Sequence, residues 1–227
     1  MDAERPQVRE RGGEPLPGSD LRPRWTLTPE EHRHPLGELT GQLAEGVLTL
    51  SHVPAGRYGV WLVVAAHDAS RDTPQDAYRP GDFWGAADGV AVPAAGAVEL
   101  PLCRLVHVTA PHDNATRLPF RFQGVDSVPA LESPVRFAWD PLPLDGVEYV
   151  VEVGTVDYDT QTASIGTVAR VRTGEHEASV ELAPSQGNRA YSFHLRAERG
   201  GRLVGRTSFT SLGVRDWNYE FRVVQRR

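Results

Sequence analysis

Residues 134–153 read PVRFAWDPLPLDGVEYVVEV, and this stretch carries the clearest strand pattern in the second half of the chain. Its first part alternates between apolar and polar residues, which places Val135, Phe137 and Trp139 on one face of a β-strand. The PLPLDG segment that follows has the composition of a turn. A second strand is predicted over 148–153, so the stretch indicates two consecutive strands, the first with a buried aromatic face.

Strand patterns continue beyond this stretch at intervals of roughly 10–15 residues, a spacing that is typical of small β-sandwiches. They lie at 164–172, 177–182, 190–198, 203–210 and 217–224. In the last of them Trp217, Tyr219 and Phe221 share one face. That spacing favours the core face of a terminal strand over a surface platform.

The first half of the chain is also dominated by strand patterns. VLTLSHV at 47–53 alternates, and YGVWLVVAA at 58–66 is a nearly continuous apolar run. Pro54 and Gly56 supply turn chemistry between them, so two strands joined by a tight connection are predicted. Two shorter strand-like runs lie at 89–93 and 97–102.

The best helix candidate is 29–45, where Thr28 could cap and Glu31 follows three residues later. Its apolar spacing is poor, and Pro35 and Gly37 interrupt it. A loop with at most one helical turn is therefore predicted for this segment. The content of 22 Gly and 18 Pro is normal for a protein made of strands and turns.

The composition argues against several classes of protein. The 227 residues are 40% apolar and 24% charged, which excludes a membrane protein and a wholly disordered one. A net charge of −6 argues against nucleic-acid binding by phosphate neutralisation. Because all 24 basic residues are Arg, a phosphate loop ending in Gly-Lys is absent. Cys103 is the only cysteine and lies in an apolar stretch, which excludes an intrachain disulfide and predicts a buried thiol.

The motif GVLTLSHVPAGRYGV at 46–60, preceded by GEPLPG at 13–18, resembles the carboxypeptidase regulatory-like domain, a transthyretin-like seven-stranded sandwich. The resemblance covers about residues 7–108 and departs from the family's pattern at 24–42, where an insertion occurs, and at 73–89. In physical terms Pro54 and Gly56 make the turn, and Tyr58 enters the core with its hydroxyl able to reach the backbone.

The motifs VRFAWDP at 135–141, EYVVEV at 148–153 and AYSFHLRA at 190–197 resemble a fibronectin type III or related immunoglobulin-like domain. They match that family's buried tryptophan strand, its next strand and its later tyrosine strand, in the correct order. The resemblance covers about residues 127–227.

Together these observations predict an all-β chain built from two tandem antiparallel β-sandwiches, the first transthyretin-like and the second fibronectin III/immunoglobulin-like. The first is expected to span 1–110 and the second 127–227, with a linker over 111–126. Both families consist mostly of non-catalytic accessory modules of secreted bacterial proteins, and the resemblance implies the same role here. Fold alone does not fix a function.

The segment YRPGDFWG at 78–85 is the most informative candidate for a binding site, because loop aromatics in binding modules stack on sugar rings or bury peptide side chains. The predicted ligand-binding residues are Tyr78, Arg79, Asp82, Phe83 and Trp84. The aromatic rings would stack on the ligand, and Arg79 and Asp82 would hydrogen-bond to it. The alternative is that Phe83 and Trp84 pack against the open end of the sandwich or the second domain.

Histidines offer a weaker case for an enzyme. His32 and His34 follow two glutamates and could contribute to a metal site, but no third ligand is identifiable from spacing. His67 and Asp68 could act as a base and its orienting acid, yet no nucleophile elbow is present. A metal-assisted hydrolase is therefore a minor alternative, and no catalytic residue, metal or cofactor is predicted.

Two clusters of acidic residues are candidates for a calcium-binding site. Asp157 and Asp159 lie close together, as do the carboxylates of 68–76, but neither segment has the pattern of an EF-hand loop. The favoured interpretation is solvation of hairpin turns by these side chains.

The sequence thus predicts a non-catalytic binding or spacer module of a bacterial surface or secreted system, with a glycan or a protein as partner. A scaffold that binds proteins without a small ligand is the main alternative, because sandwich edges can accept a partner strand. Neither nucleic-acid binding nor membrane insertion is expected. The resemblance implies an extracellular or periplasmic location, whereas the N-terminus shows no secretory signal and leaves the cytoplasm open.

Overall fold

A computed structural model describes residues 22–29, 41–44, 47–65, 80–92, 100, 102–115, 125–159, 162–207 and 220–225. Within these ranges the regular structure is β-strand apart from the single 3-10 turn Val125–Ser127. The predicted all-β fold is confirmed. No helix in this part of the chain has the length and apolar character needed to cross a membrane.

The chain divides into two compact units, Met1–Arg104 and Leu105–Arg227. The strands of the first unit are β1 (Arg22–Pro29), β2 (Gly41–Ala44), β3 (Val47–Leu50), β4 (Gly56–Ala65) and β5 (Phe83–Val92), and β6 (Cys103–Leu105) contains the boundary. The order β1-β4-β5-β6 forms an antiparallel sheet, while β2 and β3 pair with each other as a separate hairpin.

Two clusters of apolar side chains form the core of the first unit. Leu27, Tyr58 and Val60 belong to the first cluster, and Leu50 of β3 packs against them. The β2–β3 hairpin is therefore held on the sheet by apolar contact. The second cluster consists of Leu62, Val64, Phe83 and Leu102.

The predicted turn before β4 has the chemistry that the sequence suggests. The Tyr58 hydroxyl donates a hydrogen bond to the Pro54 carbonyl at 2.9 Å, while the ring is buried. A Cβ atom at Gly56 would approach that ring to 3.3 Å, a tight contact that glycine avoids.

The prediction of a loop over 29–45 is wrong near the C-terminal end of that segment, because Gly41–Ala44 is strand β2. Local apolar spacing could not reveal this strand, since its pairing with Val47–Leu50 supplies the hydrogen bonds that hold it. β3 also pairs with β2 and not with the following strand β4. Residues 30–40 lie outside the described residues.

The second unit contains β7 (Val108–Ala110), β8 (Ala130–Glu132), β9 (Val135–Trp139), β10 (Val147–Asp157), β11 (Thr162–Thr173), β12 (Glu177–Val180), β13 (Arg189–Arg199), β14 (Arg202–Arg206) and β15 (Glu220–Val224). One sheet has the order β12-β9-β7, and the other has the order β14-β13-β10-β11. β15 pairs with β13 and, in parallel, with β8.

The core of the second unit lies between these two sheets. Val135, Phe137 and Trp139 of β9 are all buried, as the alternation in the sequence predicts. The Phe137 ring contacts Phe193 edge-on with centroids 4.9 Å apart, and it contacts Phe221 at 5.9 Å. These edge-to-face contacts join β9 to β13 and β15, and they add to the burial of apolar area.

Two tyrosine hydroxyls fix loops at the ends of this core. Tyr149 accepts a buried hydrogen bond from the Leu142 amide at 2.8 Å. Tyr191, near the start of β13, donates to the Ala183 carbonyl at 2.9 Å, which is the arrangement called a tyrosine corner in immunoglobulin-like sandwiches. A tight hairpin joins β13 to β14 through Gly200 and Gly201, both of which have positive φ.

The residues that follow the unit boundary pack within the second unit. The Asn114 side chain accepts a hydrogen bond from the Val108 amide and donates one to the Val106 carbonyl, each at 2.9 Å. Val125 is buried in a cluster with Val128 and Ala190. The predicted first domain extended to residue 110, whereas the compact units meet between 104 and 105. Most of the predicted linker, 116–124, lies outside the described residues.

Replacing Tyr149 by Phe should destabilise the second unit more than replacing Tyr191 by Phe. The first change leaves the buried Leu142 amide without its acceptor, which costs about 1–3 kcal/mol, while the second removes an exposed bond worth about 1 kcal/mol. Urea unfolding of the two variants measures both values. Equal losses would contradict the placement of Tyr149 in the core.

Candidate functional site

The structure places the predicted binding segment at the start of strand β5 and not wholly in a loop. Tyr78 and Arg79 lie outside the described residues. Asp82 has no exposed surface. Phe83 is 2% exposed and belongs to the core cluster that also contains Leu62, Val64 and Leu102. The Arg104 guanidinium lies 4.7 Å from the centroid of the Phe83 ring. Phe83 therefore packs within the core of the first unit instead of standing free to stack on a ligand.

Of the predicted ligand-binding residues that the structure describes, Trp84 is the one that retains accessible surface. It follows Phe83 in the strand and points to the opposite face, because successive side chains alternate. Its ladder partners are Val63 and Cys103, and its side chain is half-buried. Gly81 precedes the strand with φ +94°, a conformation that favours glycine, so the turn at 80–81 directs the chain into β5.

The other candidate catalytic and metal-binding residues either lie outside the described residues or make hydrogen bonds within turns. His32, His34, His67 and Asp68 lie outside. Asp157 accepts a hydrogen bond from the Asp159 amide at 2.9 Å, and Asp159 accepts one from the Asn188 side chain at 2.6 Å. These contacts fit the interpretation of Asp157 and Asp159 as turn residues. Within the described ranges no cluster of three or more His, Cys, Asp or Glu side chains is suited to hold a metal ion.

Cys103 is buried, as its apolar surroundings predict, and it forms no disulfide. Trp139 is a core residue, also as predicted. The side chains of Trp25 and Trp61 lie outside the described part of the structure, as do Trp217 and Tyr219.

His107 lies at the centre of a cluster with two carboxylates that sequence reasoning did not find. Its Nδ1 lies 2.7 Å from Asp140 Oδ2, and its Nε2 lies 2.9 Å from Asp113 Oδ1. Only a protonated imidazole donates from both ring nitrogens. Burial disfavours the charged ring, but the hydrogen bonds and negative charges of the two carboxylates outweigh it, so the pKa of His107 is raised above 6.5.

This imidazole ties three segments of the second unit together. Asp140 follows β9, and its amide also donates to the His107 carbonyl at 2.9 Å. Asp113 belongs to the turn after β7, where its Oδ1 also accepts from the Ala115 amide at 2.8 Å. The arrangement is a structural clamp, since each polar group satisfies another within the unit.

The outer face of the sheet β13-β10-β11 carries a ladder of opposite charges. Arg172 contacts Glu148 at 3.0 Å and Glu198 at 2.8 Å. Glu152 contacts Arg196 at 3.3 Å and Arg170 at 3.4 Å. The ladder runs across three strands because cross-strand neighbours on one face lie close together.

Val150 lies on this face between the ladder's arginines. It pairs with Arg172 on one side and Arg196 on the other, and its side chain is fully buried. Long arginine stems can cover apolar surface while their guanidinium groups stay in water. The arginines of the ladder therefore flank the outer face of β10 at Val150, while Glu148 on the same face stays exposed.

The ladder ends at β11, which is the last strand in the order of this sheet. Arg170 and Arg172 are both exposed there, and the side chain of Val168 is 52% exposed. Val168 is the extra residue at a register shift, because Val153 pairs with Ala169 and Gly154 pairs with Thr167. Such a bulge re-aims a side chain on an edge strand.

Two signals in the sequence could have found this face. Arg170 and Arg172, and likewise Arg196 and Glu198, are spaced by two in strand segments, which places each pair on one face. Nothing local connects His107 to Asp140, which lies 33 residues away.

Comparison of the chain with protein-family models, with curated proteins and with solved structures gave no match. The fold itself assigns the chain to a class, the all-β proteins whose sheets pack in a sandwich-like arrangement.

Phe83→Ala should lower the free energy of unfolding of the first unit by about 3–5 kcal/mol, because it opens a cavity in the core. Trp84→Ala should cost less, since that side chain is half-buried. Chemical denaturation of both variants checks the order. A stable Phe83→Ala protein would place the ring at a surface where it could stack on a ligand.

The clamp at His107 should make the stability of the second unit depend on pH. Because the pKa of His107 is raised in the folded state, its contribution is fully present below about pH 6.5 and is lost as the pH rises through the native value. The stability of the parent relative to His107→Gln should therefore fall with rising pH in that window.

The comparison must be made at each pH, since burial lowers the pKa of His112 and gives that group the opposite dependence. Urea unfolding of both proteins across this range measures the difference. A difference that does not change with pH would show that folding does not shift the pKa of His107.

Proposed function

We propose that this chain is a non-catalytic binding or spacer module whose partner is a protein, acting in a bacterial surface or secreted system. The observation that carries the proposal is the β11 edge, which combines a bulged, exposed Val168 with the exposed Arg170 and Arg172. Exposed sheet edges present main-chain groups that can pair with another chain.

The packing of the predicted ligand residues supports a protein partner over a small ligand. Of the five candidates, Asp82 and Phe83 are buried, so the Phe83 ring offers no surface on which a ligand could stack. The polar contacts of His107 are satisfied within the unit, which favours a structural role over catalysis.

The architecture supports the resemblance on which the wider proposal rests. The second unit has a three-stranded sheet facing a four-stranded order, with Trp139 packed beside Tyr149 at 5.2 Å. Together with the tyrosine corner at Tyr191, these features favour a fibronectin III-like or immunoglobulin-like module. The turn and hydroxyl contact at Tyr58 favour the transthyretin-like interpretation of the first unit.

Glycan binding is the second candidate, and the accessible surface of Trp84 is what favours it. A glycan array probed with the parent and with Trp84→Ala separates the two proposals. Binding by the parent that disappears in the variant would favour a carbohydrate module sited on this segment.

Photo-crosslinking residues placed singly at Thr49, Thr109 and Val168 test the protein-binding proposal, because all three positions are exposed. With secreted and periplasmic fractions of the source cell, we expect one partner, identified by mass spectrometry, that also binds the chain when both are purified. The absence of any such partner at all three positions, in both units, would contradict the proposal.

A further inference from the structure

The β11 edge is regular over only five residues. Among the described strands β11 pairs with β10 and with no other, and its register is unbroken from Ala169 to Thr173. The bulge at Val168 ends this regular stretch. A bulge blunts an edge against indiscriminate pairing, so an added strand would align along Ala169–Thr173.

The outermost row of charge on this edge is positive. Arg170 and Arg172 lie two residues apart on the outer face of the sheet, and the glutamates that contact them, Glu148, Glu152 and Glu198, lie on the inner strands. The side chains of Arg170 and Arg172 are 52% and 44% exposed. Arg170 makes one ion pair at 3.4 Å, which leaves most of its five N–H donors for another acceptor.

A second copy of the chain does not fit this row. Antiparallel pairing of Ala169–Thr173 with itself would set Arg170 opposite Arg172 of the other copy, and like charges directly opposite each other are destabilising. The same argument favours a strand with carboxylates at alternate positions, since it would extend the ladder outward by one more row.

The other face of the edge favours apolar residues. Ala169 and Val171 alternate with the arginines and pack against the core of the second unit while remaining partly buried. Apolar side chains on an added strand would extend this face, because alternate residues share a face.

We propose that the Ala169–Thr173 edge binds an extended segment of a protein partner in which acidic residues alternate with apolar residues. The segment adds as a strand beside β11, with its carboxylates on Arg170 and Arg172 and its apolar side chains beside Ala169 and Val171. This inference rests on the proposed protein-binding function and names the chemistry of the partner.

A blocked peptide of alternating glutamate and valine is the probe, and a peptide with lysine in place of glutamate is its control. We expect the acidic peptide to shift the amide resonances of Ala169–Thr173 in a saturable way and to slow their hydrogen exchange. The lysine peptide should not bind. Binding of the acidic peptide should weaken as salt is raised, because exposed charges are screened.

Matched variants of the protein test the role of the two arginines. Arg170→Gln with Arg172→Gln should weaken binding of the acidic peptide by about fivefold, the effect of roughly 1 kcal/mol from exposed ion pairs. Arg136→Gln is the control, because Arg136 also forms an exposed ion pair, with Glu177 at 2.7 Å, and lies on the opposite sheet. Melting curves of all variants verify that they fold.

Three results would overturn the inference: equal binding of both peptides, shifts that map away from β11, or no binding of the acidic peptide by the parent. A partner crosslinked at Thr49 or Thr109 but not at Val168 would also overturn it while leaving the protein-binding function in place. The absence of any partner at all positions would instead remove the proposed function.

Discussion

The second unit depends on the alternation of side chains along β10. Tyr149, Val151 and Val153 enter the core between the two sheets, while the residues between them face outward. Glu148 and Glu152 on the outer face hold arginines from both neighbouring strands, and these flank the buried Val150. A shift of one residue in register would exchange the two faces, so hydrophobic burial and the charge ladder specify the same register.

The same alternation connects the core to the proposed binding edge. The ladder runs across β13, β10 and β11, and it ends where β11 has no further neighbour among the described strands. The last row of the ladder is therefore cationic. Arg170 and Arg172 therefore serve both the structure and the proposed function, because they pair with glutamates of the inner strands and also present positive charge to a partner.

The sequence predicted those features that depend on short-range patterns. The buried face of β9 at Phe137 and Trp139, the thiol of Cys103 and the hydroxyl contact of Tyr58 all follow from alternation, apolar surroundings or turn chemistry. The strand at Gly41–Ala44 was missed because its pairing partner, and not its own propensity, makes it a strand.

The sites were harder to predict than the fold, for a physical reason. Whether Phe83 packs or faces solvent depends on which strands lie beside it, and the two alternatives have the same local sequence. The clamp at His107 needs Asp140, which the topology of the sandwich brings near and the sequence does not. Ion pairs between strands likewise become visible only once the register is known.

Amide hydrogen exchange of the free protein, followed by NMR, tests the central claim most directly, namely that β11 is an open edge of an ordered sheet. The account predicts strong protection for β10 and β13, whose strands have neighbours on both sides, and fast exchange for alternate amides of Ala169–Thr173 that face away from β10. Uniform protection along β11 would contradict the account, because the edge would then already be covered.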